Sequence, residues 1–258
     1  MSSAAAHGAR PAGPGEFFRS LVAVAGRSIV DLAFPSLCIV CDAPRPRDDR
    51  WLCGSCRALL GENHTNRDPC PRCCLNRKID ECTCEIVWDH PFERVYSLFD
   101  YDDRVKVLRR EIKYRGKAAL AFHLGKCYAG TVPESFVEGV DAFVPVPLHF
   151  RRALERGYNQ AAHFARGVVE GRGGELELIR PLRRRRNTRT QTKLDKSQRV
   201  ANLAGAFTVP RNKTDQVRGK RLMLVDDVVT TGATTGQCTE ALLSAGAEWV
   251  RVLSLARD

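Results

Sequence analysis

Two adjacent aspartates followed by a threonine-rich segment are the residues of this chain with the clearest chemical use. Asp226 and Asp227 come directly after the apolar run of residues 222–225, and residues 230–234 read Thr-Thr-Gly-Ala-Thr. A short uninterrupted apolar run is typical of a buried parallel strand. Ligands bind at the carboxyl ends of such strands in open α/β sheets, so we expect a ligand site at this position.

The segment after the aspartates has the composition of an anion site. Cys238, Ala241, Leu242 and Ala245 recur at helical spacing and predict a helix just beyond it. The N-terminus of a helix and the N–H groups of the loop before it attract phosphate, and Gly232 allows a close approach. The paired carboxylates would repel a bare phosphate, but they accept hydrogen bonds from hydroxyl groups or bind a divalent cation. A ribose 5-phosphate suits both halves.

A group of arginines follows another predicted strand. Residues 140–146 read as a buried strand, and residues 148–160 predict a loop that leads into a helix over residues 159–169. The loop carries Arg151, Arg152 and Arg156. Guanidinium groups bind phosphate oxygens bidentately, so this loop is predicted to hold a second phosphate group.

The cysteines are spaced as metal ligands. A Cys-x2-Cys pair presents two thiolates to one tetrahedral ion, and a second pair completes the coordination sphere, which indicates structural zinc, one ion or two. Two well-separated pairs favour zinc over an iron–sulfur cluster. Sequential and crossed pairing both stay open, and Cys74 competes with Cys73. The candidate ligands are Cys38, Cys41, Cys53 and Cys56, then Cys70, Cys73, Cys82 and Cys84.

The remaining cysteines and two nearby histidines are interpreted as structural. Cys127 and Cys238 lie in predicted helices and are expected to be buried thiols. His64 and His90 are expected at the surface rather than in a metal site.

A strongly basic stretch precedes the acidic site. The chain has a formal net charge of +11, and residues 180–199 contain nine Lys or Arg against one Asp. Residues 183–202 are polar and predict a loop, which fits a mobile lid that excludes water from a reactive sugar. A contact to nucleic acid fits as well, although few aromatic residues are nearby to stack on bases. The residues concerned are Arg184, Arg185, Arg186 and Arg189.

Composition and patterning limit the class of protein. With 43% hydrophobic residues the chain has enough apolar side chains for a core, and no apolar run approaches the length of a membrane span. Residues 1–15 are predicted to be a disordered leader and residues 16–33 an amphipathic helix. We expect a soluble, cytoplasmic protein, in which so many cysteines indicate metal binding rather than disulfides.

Strand and helix patterns alternate after the cysteines and predict an α/β fold. Strands are expected at residues 94–101, 206–209 and 249–255, the last closing the sheet, and helices at residues 105–112 and 118–129. We divide the chain into a leader (1–35), a double zinc ribbon (36–90) and an α/β domain (91–258).

Several motifs, in their order along the chain, resemble those of a known family. Residues 222–234 are similar to the phosphoribosyl pyrophosphate (PRPP) motif of type I phosphoribosyltransferases. The cysteine knuckles, Lys-Tyr-Arg-Gly at 113–116, Val-Pro-Val-Pro at 144–147, Arg-x3-Arg-Gly-Tyr-Asn-Gln at 152–160 and Gln191-Thr192 occur with it in an order that resembles the ComF family. The resemblance runs from about Cys38 to the end of the chain.

The resemblance implies a fold and a set of ligands. It implies a mostly parallel open sheet flanked by helices, the type I phosphoribosyltransferase fold, with a small N-terminal zinc ribbon. It implies Mg²⁺ bound with PRPP, pyrophosphate near Arg151, Arg152, Arg156 and Lys113, and a link to DNA uptake with single-stranded DNA, a competence helicase or a recombination protein as partner. The PRPP-binding residues it implies are Asp226, Asp227, Val228, Val229, Thr230, Thr231, Gly232, Ala233 and Thr234, with the two aspartates in the catalytic role.

Two functional hypotheses remain open at this point. The first is an enzyme that transfers a phosphoribosyl group and releases pyrophosphate, with the acceptor unidentified. The second is a non-enzymatic module that binds PRPP and single-stranded DNA in competence or recombination. The first predicts turnover, and the second predicts salt-dependent DNA binding without turnover.

Overall fold

The computed structural model describes residues 36–45, 50–79, 81–82, 84, 90–184 and 205–258. Its contacts group the chain into two compact units, one ending at Cys56 and the other running from Arg57 to Asp258. The leader and helix predicted for residues 1–35 lie outside the described residues, as do residues 185–204 of the basic loop.

The larger unit alternates strands and helices, as the sequence predicts. Short 3-10 helices at Ala129–Thr131 and Arg211–Gln216 punctuate it. In chain order the elements are α1 (Gly54–Thr65), β1 (Val95–Asp100), α2 (Asp103–Tyr114), α3 (Ala118–Tyr128), α4 (Glu134–Val137), β2 (Ala142–Pro145), α5 (Phe150–Arg156), α6 (Gln160–Gly171), β3 (Glu177–Leu178), β4 (Arg183–Arg184), β5 (Phe207–Thr208), β6 (Arg221–Val229), α7 (Ala233–Ser244) and β7 (Trp249–Arg257).

Five of the strands form one parallel sheet. Their order is β1–β7–β6–β2–β3, and β4 and β5 pair separately as a short antiparallel ribbon. The prediction of a mostly parallel sheet flanked by helices is confirmed. One detail was wrong: β7 does not close the sheet, because β1 pairs along its outer side and makes β7 an interior strand.

Strand β6 is buried on both faces, which explains its continuous apolar run. Leu222 and Leu224 pack in a cluster with Cys238 and Leu242 of α7. Met223, which alternates with them, is also fully buried. Helix α6 packs against both β6 and β2. The sheet is therefore a rigid support for whatever follows β6.

The carboxyl end of β6 differs from the prediction. The strand does not stop at Val225 but continues to Val229, because β7 pairs with it as far as Val229 and Arg257. On the other side the ladder ends where Pro145 pairs with Val225. Asp226 and Asp227 therefore lie within the strand, at the point where its neighbour β2 has ended and left an open edge.

Helices α3 and α6 approach each other through glycines. A Cβ atom added to Gly167 would lie 2.1 Å from the carbonyl oxygen of Phe122, and one added to Gly125 would lie 2.4 Å from that of Phe164. Larger side chains at these positions would push the helices apart. This close packing fixes α6, whose N-terminus leads into the site.

Candidate functional site

A cavity of about 230 Å³ opens at the carboxyl edge of the sheet, around the two aspartates. The structure thus brings together the acidic, threonine and arginine segments that the sequence analysis singled out. Arg151 is exposed and does not line the cavity, unlike Arg152 and Arg156. The lining residues are Arg109, Lys113, Tyr114, 146–148, Arg152, Arg156, Gln160, Arg184 and 226–235.

Asp227 is held by cations from helix α2. The ammonium group of Lys113 lies 2.6 Å from its Oδ2, and Nε of Arg109 lies 3.2 Å from the same atom. Gln160 donates to the other carboxylate oxygen at 3.5 Å. Arg109 and Lys113 are four residues apart, so they share one face of α2 and reach the same partner.

Electrostatics separates the two carboxyl groups. Burial, followed by the charge of Asp227, raises the pKa of Asp226 to about 8. Burial acts in the same direction on Asp227, but the adjacent Lys113 outweighs it and lowers the pKa of Asp227. The site therefore holds one ionised carboxylate, Asp227, beside a carboxyl group that keeps its proton at neutral pH.

The arginine segment folds as a short helix, not as the predicted loop. Helix α5 ends at Arg156 and is capped by Gly157, whose φ of 73° is the left-handed conformation that glycine adopts most easily. Asn159 then caps α6 by accepting from the N–H groups of Ala161 and Ala162, and it donates to the Val146 carbonyl at 3.0 Å. The turn between the two helices thus brings Arg152 and Arg156 to the end of β2.

Arg156 is connected directly to the acidic site. Its Nη1 donates to Oε1 of the buried Gln160 at 3.2 Å, and its guanidinium lies over the Tyr114 ring at 5.4 Å. Gln160 therefore bridges Arg156 and Asp227. Tyr114 is 74% exposed at the rim of the cavity.

Arg184 belongs to this site as well, although the sequence indicated a lid or a nucleic-acid contact. It lines the cavity, and its guanidinium lies over the Phe207 ring at 5.3 Å. Burial and the nearby charge of Arg152 lower the pKa of Arg184. Arg185, Arg186 and Arg189 lie outside the described residues.

Residues 230–232, the threonine loop, connect β6 to α7. Gly232 has a φ of 77° and occupies the N-cap position of α7. The hydroxyl of Thr231 accepts from the N–H of Ala233 at 3.5 Å, and that of Thr235 donates to the Gly232 carbonyl at 2.9 Å. The loop and the first turn of α7 line the cavity, so the helix N-terminus is directed at the ligand space.

His90 contacts the threonine loop, which the sequence did not indicate. Its Nε2 donates to the Thr231 carbonyl at 2.8 Å, and its ring stacks on Phe92. Gly236 leaves room for this ring, because a Cβ atom there would lie 2.9 Å from Nδ1 of His90. His64 instead bonds the Leu98 carbonyl at 2.7 Å through Nδ1. Both histidines are half-buried.

The two cysteine sets form the same knuckle. In each set, the N–H of the first cysteine donates to the carbonyl oxygen of the residue five positions later. These bonds run from Cys38 to Ala43 and from Cys70 to Leu75, both at 2.8 Å. The residue four positions after that cysteine has a positive φ, 56° at Asp42 and 59° at Cys74. Cys74 is therefore the equivalent of Asp42, and Cys73 is the member of the candidate metal group.

The cysteine sulfurs gather as two sequential groups. Within each group all four Sγ atoms lie within 4.8 Å of one another, and none of these cysteines is in a disulfide. Four thiolates at these separations suit one tetrahedral zinc ion with Zn–S bonds of about 2.3 Å. The first group is Cys38, Cys41, Cys53 and Cys56, and the second is Cys70, Cys73, Cys82 and Cys84.

The second group lies in the larger unit. Cys74 packs in the sheet's core cluster with Val95 and Val252, and the Val95 N–H donates to the Arg72 carbonyl at 2.8 Å. The division of the chain at residue 90 stays a prediction, while the contacts divide it after Cys56. Of the other two cysteines, Cys238 is buried as expected, whereas the prediction for Cys127 was wrong, because it lies on the exposed side of α3.

Several site residues were missed from the sequence. Arg109 carried one weak signal, the i, i+4 spacing to Lys113 on a predicted helix. His90 carried none, because it precedes the threonine loop by 141 positions. Only the folded chain brings it to the loop.

Comparisons with known proteins agree with this geometry. Residues 151–258 match the family model described as a phosphoribosyl transferase domain. The chain is 28% identical to the DNA utilization protein YhgH of Salmonella typhimurium, over 88% of this chain and 99% of that protein. It is 28% identical to the competence protein ComFC of Streptococcus pneumoniae, over 81% and 89%, and 27% identical to that of Bacillus subtilis, over 81% and 90%.

The parallel sheet, the acid–threonine site and the family match define a protein with a phosphoribosyl transferase domain. Beyond that domain, most of the chain is homologous to the ComFC and YhgH proteins, and its cysteine groups fit a zinc ribbon. The resemblance to the ComF family is confirmed. Among the described residues, every helix is too short or too polar to span a membrane.

Proposed function

We propose that this protein binds PRPP and transfers its phosphoribosyl group to an acceptor, with release of pyrophosphate. The observation that carries the proposal is one cavity in which the Asp226–Asp227 pair, the threonine loop at the N-terminus of α7 and several cationic side chains meet. The pair suits ribose hydroxyls and the loop suits the 5-phosphate. The cations suit a pyrophosphate.

The contacts of Asp227 indicate what would change when PRPP binds. Both oxygens of Asp227 are occupied, one by Lys113 and Arg109 and the other by Gln160. A ribose hydroxyl that donates to Asp227 therefore competes with Lys113. The released ammonium would stay in the cavity and could bind the pyrophosphate, together with Arg152 and Arg156.

The proposed reaction breaks the bond between the anomeric carbon of PRPP and its pyrophosphate oxygen, and the electron pair leaves with the pyrophosphate. The acceptor forms the new bond to that carbon and loses a proton. The chain positions the sugar and stabilises the departing charge with Arg152, Arg156 and Arg184. Mg²⁺, held by Asp227 and, once it loses its proton, by Asp226, would neutralise further charge on the pyrophosphate.

Calorimetric titration of PRPP, with and without Mg²⁺, tests the binding step. Wild type is expected to bind, and the double variant Asp226→Asn/Asp227→Asn is expected to lose at least about tenfold in affinity. Asp215→Asn is a matched control, because that carboxylate is 94% exposed, pairs with Arg218 at 3.9 Å and does not line the cavity. No PRPP binding by a folded, zinc-loaded wild type would contradict the proposal.

A second candidate function is a binding module without turnover. It is favoured by the names of the relatives, a DNA utilization protein and competence proteins, and by the net charge of +11. In that case PRPP acts as a ligand while single-stranded DNA, with a helicase or recombination protein, is the partner. Pyrophosphate release with an acceptor supports transfer, whereas DNA binding that weakens linearly in log salt without turnover supports the module.

A further inference from the structure

The carbonyl groups of the threonine loop are held by side chains outside the cavity. Nη1 of Arg257 donates to the Val229 carbonyl at 2.9 Å and also to the Thr230 carbonyl. Nε2 of His90 donates to the Thr231 carbonyl at 2.8 Å. Neither Arg257 nor His90 lines the cavity around the aspartates. Three successive peptide groups are thus held by two side chains, together with the N–H of Asp258, which donates to the Val229 carbonyl at 3.0 Å.

This arrangement determines where the loop's N–H groups point. In a trans peptide the C=O and N–H bonds are directed oppositely, and no cis peptide occurs in the described residues. Because the carbonyls of residues 229–231 point at Arg257 and His90, the N–H groups of Thr230, Thr231 and Gly232 point away from them. Within the described part of the chain these three N–H groups have no hydrogen-bond acceptor. They are therefore available to an anion in the cavity.

Arg257 also contacts the second cysteine group. Its Nε donates to the carbonyl oxygen of Cys73 at 3.1 Å, while Nη1 of the same guanidinium holds Val229. Cys73 is one of the four candidate zinc ligands in that group. The planar guanidinium presents its donors in fixed directions, so a displacement of the Cys73 peptide is transmitted to the loop.

We propose that Arg257 and His90 are positioning residues for the threonine loop, and that Arg257 couples this loop to the second cysteine group, so that zinc held there strengthens binding of the phosphoribosyl ligand. The inference rests on the function proposed above. It gives the second group a role besides stabilising the fold: the knuckle fixes Arg257, and Arg257 fixes the peptides that bind phosphate.

The first arm of the test removes the guanidinium. Arg257→Gln is expected to weaken PRPP binding about tenfold, because the carbonyls lose a charged donor and the N–H groups lose their orientation. Arg257→Lys keeps the positive charge but lacks the planar guanidinium with its several donors, so it is expected to recover only part of the affinity. Arg251→Gln is the matched control: Arg251 lies on the same strand and donates to the carbonyls of Phe136 and Glu138, away from the loop.

The second arm perturbs the metal group. Cys82→Ser is expected to lower the zinc content and to weaken PRPP binding about as much as Arg257→Gln does. The double variant is expected to bind no more weakly than either single one, because both changes interrupt one connection. Cys127→Ser, an exposed cysteine outside both groups, is expected to keep the wild-type zinc content and affinity.

A readout without PRPP separates this inference from the proposed function. Hydrogen–deuterium exchange of a peptide covering residues 226–235 is expected to be faster in Arg257→Gln and Cys82→Ser than in wild type or Arg251→Gln. Wild-type exchange and wild-type affinity in both variants would overturn the coupling. If wild type does not bind PRPP, the proposed function fails while the exchange data still decide the coupling. If Arg257→Gln does not fold, a pair of His90 variants tests the same loop. His90→Phe loses the N–H donor to Thr231 and is expected to show faster exchange and weaker PRPP binding than His90→Gln, which keeps an N–H donor.

Discussion

At the scale of single residues, the site depends on how charge is distributed between Asp226 and Asp227. Asp227 is stabilised as a carboxylate by Lys113 and Arg109, whereas Asp226 has its own backbone neighbour, the N–H of Asp227, as its donor at 2.8 Å. Two adjacent acids thus have different protonation states. Lys113 outweighs burial and lowers the pKa of Asp227, whereas burial and the charge of Asp227 raise the pKa of Asp226.

The role of Lys113 can be tested against another lysine of the same helix. Lys113→Gln is expected to weaken PRPP binding about tenfold, because an ammonium group is lost from both Asp227 and the pyrophosphate position. Lys106→Gln is the control, since Lys106 is exposed on α2 and pairs with Asp103 at 2.9 Å. Calorimetric titration measures both. Equal affinities for the two variants would contradict the role of Lys113.

The raised pKa of Asp226 predicts how stability depends on pH. The pKa of an aspartate in the unfolded chain is about 3.9. In the folded chain, burial and the charge of Asp227 raise the pKa of Asp226 to about 8. Between these values the folded state binds more protons than the unfolded state, so stability falls as pH rises.

Asp226→Asn replaces this carboxyl group with an amide, which does not titrate. In magnesium-free buffer its melting temperature is expected to fall less steeply than that of wild type between pH 5 and about pH 8. Asp215→Asn is expected to keep the wild-type slope, because its carboxylate is exposed. Parallel slopes for wild type and Asp226→Asn, measured by thermal denaturation, would show that Asp226 is already ionised across this range.

At the scale of elements, the site is built by three junctions: the end of β6, the N-terminus of α6 and the face of α2. Two of them are fixed by particular local features. The unequal lengths of β2 and β7 leave the end of β6 open, and the Asn159 cap together with the glycine contacts between α3 and α6 fixes the N-terminus of α6. A change that displaces α6 also displaces Gln160 and the turn that carries Arg156.

Two helical glycines provide a paired test of this packing. Gly167→Ala places a Cβ atom 2.1 Å from a backbone oxygen of Phe122 and is expected to cost about 1–3 kcal/mol of stability. Gly61→Ala, in α1, has nothing within 4 Å and is expected to be neutral or to stabilise by about 0.5–1 kcal/mol. Chemical denaturation measures both. A Gly167→Ala variant as stable as wild type would mean that the helices separate without cost.

At the scale of the whole chain, two similar knuckles occur in two different settings. The first lies in the unit that ends at Cys56, and the second is packed on the sheet of the larger unit. A zinc ion would substitute for an apolar core in the first setting. In the second it would reinforce a core that already exists.

The zinc content follows from this arrangement. Wild type is expected to hold two zinc ions, and Cys56→Ser and Cys84→Ser are each expected to hold one, because each removes a thiolate from a different group. Cys127→Ser is expected to keep two. Native mass spectrometry with elemental analysis measures the stoichiometry. One zinc ion in wild type would show that only one of the groups binds metal.

Much of the fold and part of the site could be predicted from the sequence alone. The apolar run of β6, the paired acids and the Thr-Thr-Gly-Ala-Thr segment are contiguous, so local patterning was enough to predict a strand, a ligand edge and an anion-binding helix start. The candidate cysteine ligands were predictable for the same reason, since each cysteine pair lies within a few residues. Their grouping into two sequential sets, and the choice of Cys73 over Cys74, stayed open until the structure was known.

The tertiary structure decided the contacts between distant segments. Lys113 and Arg109 neutralise Asp227, His90 holds Thr231, and Arg257 contacts Cys73, each across more than a hundred positions of sequence. Arg257 also holds Val229, which is 28 positions away. It also decided that Cys74 is packed in the core, because its left-handed backbone turns its side chain away from the metal group. Local spacing in the sequence determines which side chains can bind a ligand. Their protonation and orientation depend on burial and on opposite charges, which arise only when the sheet brings distant segments together.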